Sequence, residues 1–169
     1  SNGISLARKV LFKEWGGKYE HFDIPDGFTR EIVYEVLEPT KIYAKPVLNA
    51  AKEVKMKAAV HITGDAYLKF DRLMKFSKGI GFEFNNFKPQ PIFELIQKTA
   101  TKVKGAIKDE EMLKTFNVGW GFAVVLDKTD EDSITDSFEK SGVRAEPIGK
   151  ITDSRKIVAL YKGKKIELR

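Results

Sequence analysis

The chain has 169 residues, a net charge of +6, 42% apolar and 32% charged residues, two histidines and no cysteine. These values exclude a disordered chain, disulfides, thiol nucleophiles and thiolate metal sites, and they disfavour a structural zinc site. No apolar run reaches bilayer length and no signal-peptide pattern opens the chain, so a single cytoplasmic domain without a membrane partner is expected.

From the N-terminus, Ser5 to Trp15 places Leu6, Ala7, Val10, Leu11 and Trp15 on one helical stripe that Gly16-Gly17 ends. Thr29 to Leu37 forms a second expected helix, closed by Pro39. Lys41 to Lys45 reads as a short strand or extended loop, and Pro46 opens a helix that turns Val47, Ala50, Ala51 and Val54 inward. Ala58 to Thr63 is a strand, and Gly64-Asp65 turns it into a helix running to about Phe76. Ile80 to Phe84 puts Ile80, Phe82 and Phe84 on one strand face, and Pro91 opens a helix carrying Ile92, Leu95, Ile96, Thr99 and Val103. Val118 to Leu126 lacks charge on both faces and reads as a central strand covered on both sides. Asp130 caps a helix from Glu131 to Lys140 that Gly142 ends, and Arg144–Thr152 and Lys156–Tyr161 are two final strands. The expected class is α+β, helices against a mixed sheet. The tail from Arg155 to Arg169 sets Arg155, Lys156, Lys162, Lys164, Lys165 and Arg169 against Glu167 alone. No recognition-helix or RNP-type pattern accompanies it, so no nucleic-acid partner is expected; an anionic small molecule suits the charge equally well.

Four segments carry residues beyond those a plain scaffold needs. Ser1-Asn2-Gly3-Ile4-Ser5 leads directly into a helix, whose free N–H groups and dipole attract anions; on the residues alone an ordinary N-cap at Ser5 is the simpler account. In Glu38 to Pro46, an extended chain would put Lys41, Tyr43 and Lys45 on one face, fit either to grip a phosphate or ribose or to protect a solvated edge strand. In His61-Ile62-Thr63-Gly64-Asp65, His61 and Thr63 share a face and Gly64 permits close backbone approach. His61 there is either a general acid or base or a hydrogen-bonded structural histidine. Asp65 suits a helix cap or a ligand hydroxyl, since its charge repels phosphate. In Met112 to Gly121, Gly119 and Gly121 leave space for a packed helix or for a substrate.

In this order the four segments resemble phosphoribosylformylglycinamidine cyclo-ligases, also called aminoimidazole ribonucleotide synthetases. The family's second domain begins near Ser-Asn-Gly before a helix ending in basic residues, similar to Ser1-Asn2-Gly3 and Arg8-Lys9. Its Pro-Thr-Arg-Ile-Tyr-Val-Lys-Pro resembles Pro39-Thr40-Lys41-Ile42-Tyr43-Ala44-Lys45-Pro46, and its His-Ile-Thr-Gly-Gly-Gly resembles His61-Ile62-Thr63-Gly64. Its Met-x-x-Thr-Phe-Asn-Met-Gly-x-Gly resembles Met112, Thr115, Phe116, Asn117, Gly119 and Gly121, and Ile148-Gly149-x-Ile151 is also similar. Asp65-Ala66 departs from the family's second and third glycines, as does the loop from Gly79 to Pro91.

The resemblance implies a three-layer α/β/α domain, partly ferredoxin-like, that is the substrate-side half of the enzyme. A preceding domain would hold most of the ATP and Mg2+ site and much of a homodimer contact, with no cofactor or metal expected on residues 1–169 alone. The implied reaction is ATP-dependent ring closure of formylglycinamidine ribonucleotide in purine biosynthesis, with the isolated half inactive. Asn2 and Gly3 would sit at the anion-binding helix start, and Thr40, Tyr43 and Lys45 at ribose or phosphate. His61 and Thr63 would face the reacting amidine beside Gly64 and Asp65, and Thr115, Asn117 and Gly119 would line the pocket. Two alternatives stand beside this: another member of the same ATP-using superfamily, or a non-catalytic binding module. The first comprises formylglycinamidine ribonucleotide synthetase, thiamine-monophosphate kinase, selenophosphate synthetase and the hydrogenase-maturation type.

Overall fold

A computed structural model describes residues 3–103 and 105–169 and has the α+β class. Asn2, expected at an anion site, lies outside the described residues. The chain divides into two compact units. Unit 1 comprises Ser1–Thr40, Thr63–Tyr67 and Phe87–Trp120, and unit 2 comprises Lys41–Ile62, Leu68–Asn86 and Gly121–Arg169.

Unit 1 is helical. Helix α1 (Ile4–Leu11) buries Ala7, Val10 and Leu11, which recur at helical spacing, and packs along α5 (Pro91–Val103). The expected helix to Trp15 is broken. Phe12 turns extended at φ −95, ψ 135, and a 3-10 turn, Lys13–Trp15, follows and ends at Gly16. Trp15 therefore leaves the buried stripe; it is 43% exposed, with the Arg8 guanidinium over its ring at 4.8 Å. The second expected helix shortens to α2 (Ile32–Val36), anchored by Ile32. Helix α6 (Asp109–Thr115) has Asp109, Glu110 and Glu111 in its first turn and Lys114 in its last, a distribution that complements the helix dipole.

Unit 2 carries all the named strands. β1 (Ala58–His61) and β3 (Phe122–Val125) pair antiparallel, with Ala58 opposite Val125 and His61 opposite Phe122. A separate four-stranded sheet has the order β4-β2-β5-β6, from β2 (Gly81–Phe84), β4 (Gly149–Thr152), β5 (Ile157–Tyr161) and β6 (Lys164–Glu167). The mixed sheet expected from the sequence is this four-stranded one, in which β2 runs antiparallel to β4 and parallel to β5, and the β1–β3 pair forms a second sheet. The charge-free run from Val118 does not form a central strand either. Val118 has φ 46 and Gly119 φ 110, left-handed values that a strand cannot contain, so β3 begins only at Phe122 and pairs with β1 alone.

Phe82 and Phe84 share one face of β2, as their period-two spacing predicts, and Phe70 meets them edge-on at 5.1 and 4.7 Å. Each such ring pair adds about 0.5–1.5 kcal/mol to the burial of its surface. Helices α3 (Ala44–Glu53) and α7 (Glu131–Lys140) pack through Ala50, Val54, Ile134 and Phe138, with Val124 and Leu126 against them. Asp130 occupies the N-cap position of α7 without a side-chain capping bond. Gly142, at φ 73, ends that helix in a Schellman arrangement: its N–H donates to Glu139 O at 2.8 Å, and Val143 N–H donates to Phe138 O at 3.0 Å. Helix α4 (Asp71–Phe76) starts at Asp71, which pairs with Lys75 at 3.1 Å and with the C-terminal Arg169.

Candidate functional site

In unit 1 the first motif segment meets the fourth. Gly3 caps α1 at φ 64, and a Cβ there would lie 2.4 Å from Phe116 Cε1 and 2.8 Å from Thr115 Cγ2. Only glycine combines that left-handed backbone with so close an approach to the end of α6. Among the described residues, no acidic residue and no side-chain capping bond stand at the first turn of α1, whose N–H groups and dipole favour an anion. N-capping falls to Gly3, not to the Ser5 of the simpler account.

Just beyond the third segment the chain meets the fourth in this unit. After β1, Ala66 N–H donates to Thr63 O at 2.6 Å, closing a four-residue turn through Gly64 and Asp65. Asp65 (φ 65) and Ala66 (φ 41) both hold left-handed backbone, the conformation for which glycine is best suited. The family's extra glycines are thus replaced while a glycine-like backbone persists. Asp65 is exposed, a place open to a ligand hydroxyl, and it does not begin an α-helix: the 3-10 turn Ala66–Phe70 follows. The turn delivers Tyr67, fully buried, whose hydroxyl donates to Asn117 O at 2.8 Å. Asn117 Oδ1 accepts from Gly119 N–H at 3.2 Å, and Trp120 N–H donates to Asn117 O at 3.3 Å. These bonds hold residues 117–120 as a tight irregular turn. A Cβ on Gly119 would come within 2.2 Å of Lys88 O.

In unit 2 the second, third and fourth segments meet. Tyr43, His61 and Phe122 form a mutual ring cluster. Centroids are 5.7 Å apart for Tyr43–His61, 5.2 Å for Tyr43–Phe122 and 5.8 Å for His61–Phe122. The cross-strand pairing of β1 and β3 sets His61 beside Phe122, while Tyr43 arrives from the start of α3. Burial pushes the Tyr43 phenol above its ordinary pKa of 10.0 and keeps it a neutral hydrogen-bonding group. His61 remains exposed between buried Val60 and Ile62, the alternation expected of this strand; its carbonyl accepts from Lys69 Nζ at 3.2 Å. Gly121, absent from the residues read as site-lining, abuts the Tyr43 hydroxyl. Its only signal in the sequence is its place in the Gly-x-Gly pair.

The expected shared face of Lys41, Tyr43 and Lys45 does not form. Tyr43 is already helical (φ −92, ψ −9) and Ala44 begins α3, so Lys45 stands in the first helical turn, exposed. Residues two apart on a helix point to opposite sides, and Tyr43 joins the ring cluster without Lys45. Thr40 is exposed in the segment before this helix. Thr63 and Gly64 lie in the turn closed by Ala66, and Thr115 ends α6 against Gly3. Among the described residues no group of three or more His, Cys, Asp or Glu side chains is disposed to hold a metal ion.

The profile of the family described as AIR synthase related protein, C-terminal domain, matches residues 1–162. A phosphoribosylformylglycinamidine cyclo-ligase of Bacillus licheniformis is 37% identical over 152 residues, covering 89% of this chain and 42% of its own length. Proteins of the same name from Methanococcus maripaludis and Methanocaldococcus jannaschii are 40% and 36% identical, over 91% and 93% of this chain and 41% and 43% of theirs. The chain thus spans about two-fifths of the length of these relatives. With the motif segments meeting as described and the match running nearly end to end, the chain belongs to the AIR synthase related family, as its C-terminal domain.

Proposed function

We propose that this domain is the substrate-side part of a phosphoribosylformylglycinamidine cyclo-ligase that acts in the cytoplasm as a homodimer. In this reading a further domain supplies most of the ATP and magnesium site, and this chain holds formylglycinamidine ribonucleotide. ATP activates the formyl-amide oxygen; an internal nitrogen then bonds to that carbon, the carbon–oxygen bond breaks, and phosphate departs as the ring closes. Catalysis of this kind rests on positioning and on neutralising phosphate charge. No step through magnesium is assigned to residues of this chain.

The observation that carries the reading is that motif segments distant in the chain meet within each unit: Gly3 with Thr115 and Phe116 in unit 1, and Tyr43 and Ile62 with Gly121 in unit 2. The start of α1 serves an anionic group, through Gly3 and Asn2. Thr40, Tyr43 and Lys45 serve ribose or phosphate, with Lys45 reaching from the helix and not from a shared strand face. His61 moves a proton at the amidine beside Thr63, Gly64 and Asp65, and Thr115, Asn117 and Gly119 shape the pocket. The test is ATP-dependent formation of aminoimidazole ribonucleotide by the complete parent protein. Turnover of thiamine monophosphate or selenide in its place would overturn the reading. His61→Ala in that protein should lower turnover about a hundredfold or more; unchanged turnover removes His61 as proton carrier. The 169 residues alone should show no ring closure.

A further inference from the structure

Gly121 does not show the left-handed backbone that usually explains a glycine, since it carries no positive φ. Its lack of a side chain has a different reason. A Cβ at Gly121 would lie 2.2 Å from Tyr43 Oη, 3.0 Å from Cζ and 3.3 Å from Cε2. Carbon and oxygen cannot approach to 2.2 Å without one of them moving, whereas the contacts to the ring carbons are tight but within reach of a small adjustment. The phenol is not free to swing aside, because its ring lies against both His61 (5.7 Å, interplanar 72°) and Phe122 (5.2 Å, 32°). Phe122 in turn touches His61 (5.8 Å) and is its cross-strand partner. The Gly121 carbonyl is held as well, accepting from Ile62 N–H at 2.9 Å, directly after His61. The glycine backbone is thereby tied into the β1–β3 ribbon, so crowding at Gly121 must be relieved through the Tyr43 ring.

We propose that Gly121 and Tyr43 form a size-matched pair that sets the orientation of the His61 imidazole, with Gly121 a positioning residue acting through Tyr43. The proposal rests on the reading of His61 as a site residue only for its consequence in catalysis; the geometric claim stands on unit 2 alone.

The experiment uses the 169-residue chain and the ring resonances of its two histidines, assigned with His61→Asn. His21 is the internal control: it belongs to unit 1 and stacks on Phe12 at 4.7 Å. Gly121→Ala should displace the Tyr43 ring and shift the His61 ring signals while leaving those of His21 in place. Adding Tyr43→Phe to Gly121→Ala removes the one atom closer than 3.0 Å and should return the His61 signals toward their original positions. Tyr43→Ala alone, which creates no crowding, should also move them through loss of the neighbouring ring. That variant keeps the test decisive if Gly121→Ala fails to fold. His61 signals unmoved by Gly121→Ala or Tyr43→Ala, or not restored in the double variant, overturn the proposal. In the complete enzyme Gly121→Ala should lower turnover about a hundredfold, as expected of a misplacement of about 1 Å, with recovery in the double variant. Restored ring signals accompanied by unaltered turnover throughout would uphold the pair and count against the catalytic reading of His61 instead.

Discussion

Replacing glycines by alanine in unit 1 separates two effects that usually occur together. Gly64 has no positive φ, and nothing lies within 4 Å of the place an alanine methyl would take. Gly64→Ala therefore only restricts the unfolded chain and should stabilise by about 0.5 kcal/mol. Gly27, at φ 83, also has open space and is the third residue of a turn closed by Phe28 N–H to Pro25 O at 3.0 Å. Gly27→Ala imposes only the left-handed penalty, about 1–2 kcal/mol. Gly119 combines φ 110 with Lys88 O at 2.2 Å and Lys88 C at 2.6 Å, both backbone atoms that no rotamer change removes. Its alanine variant adds overpacking of about 1–3 kcal/mol to backbone strain of similar size, about 4 kcal/mol in all. Against a typical total stability of about 5–15 kcal/mol, that is a large fraction. Urea unfolding of the three variants beside the parent chain measures the series, read from midpoints at constant slope. The expected order is Gly64→Ala above the parent, then Gly27→Ala, then Gly119→Ala. A Gly119→Ala loss within about 0.5 kcal/mol of the Gly27→Ala loss would refute the steric argument, because the Lys88 carbonyl would then be yielding freely.

Asp65→Gly should raise stability by about 0.5–1 kcal/mol, because the turn holds Asp65 at φ 65; a thermal melt about 2 °C higher is the expected readout. Tyr67→Phe removes the hydroxyl donor to Asn117 O and should cost about 1 kcal/mol in the same unfolding assay, since Trp120 N–H still serves that carbonyl. Tyr43 should ionise above the ordinary tyrosine range, seen as a late phase of phenolate absorbance that Tyr43→Phe abolishes. Burial raises its pKa in the folded state, so the native chain holds this proton more tightly than the unfolded chain. The associated stability is complete below the unfolded value of about 10 and is lost as pH rises through the native value. Tyr43→Phe should flatten that alkaline decline.

Much of this protein is written locally. Helix α7 falls on the expected residues, since Ile134 and Phe138 repeat at helical spacing and Gly142 supplies the left-handed stop. The alternation of β1, with Val60 and Ile62 buried and His61 exposed, and the pairing of Phe82 with Phe84 are likewise period-two patterns that need no distant partner. The motif segments, and with them the family, are legible in order along the chain because each is contiguous.

Other features depend on residues far apart in sequence. An apolar, charge-free run from Val118 to Leu126 satisfies strand patterning, yet the hydrogen bonds of Asn117 and the approach of Gly119 to Lys88 turn its first part out of β geometry. Alternation likewise places Lys45 beside Tyr43, whereas helix α3 starts two residues sooner than Pro46 suggests and its rotation parts them. Spacing along one segment determined the inward faces of α7 and β2, but Trp15 and Ala51, which spacing also turns inward, are exposed; the close approaches of Gly3 to Phe116 and of Gly121 to Tyr43 were decided only by tertiary packing, because steric exclusion acts between surfaces that meet after folding.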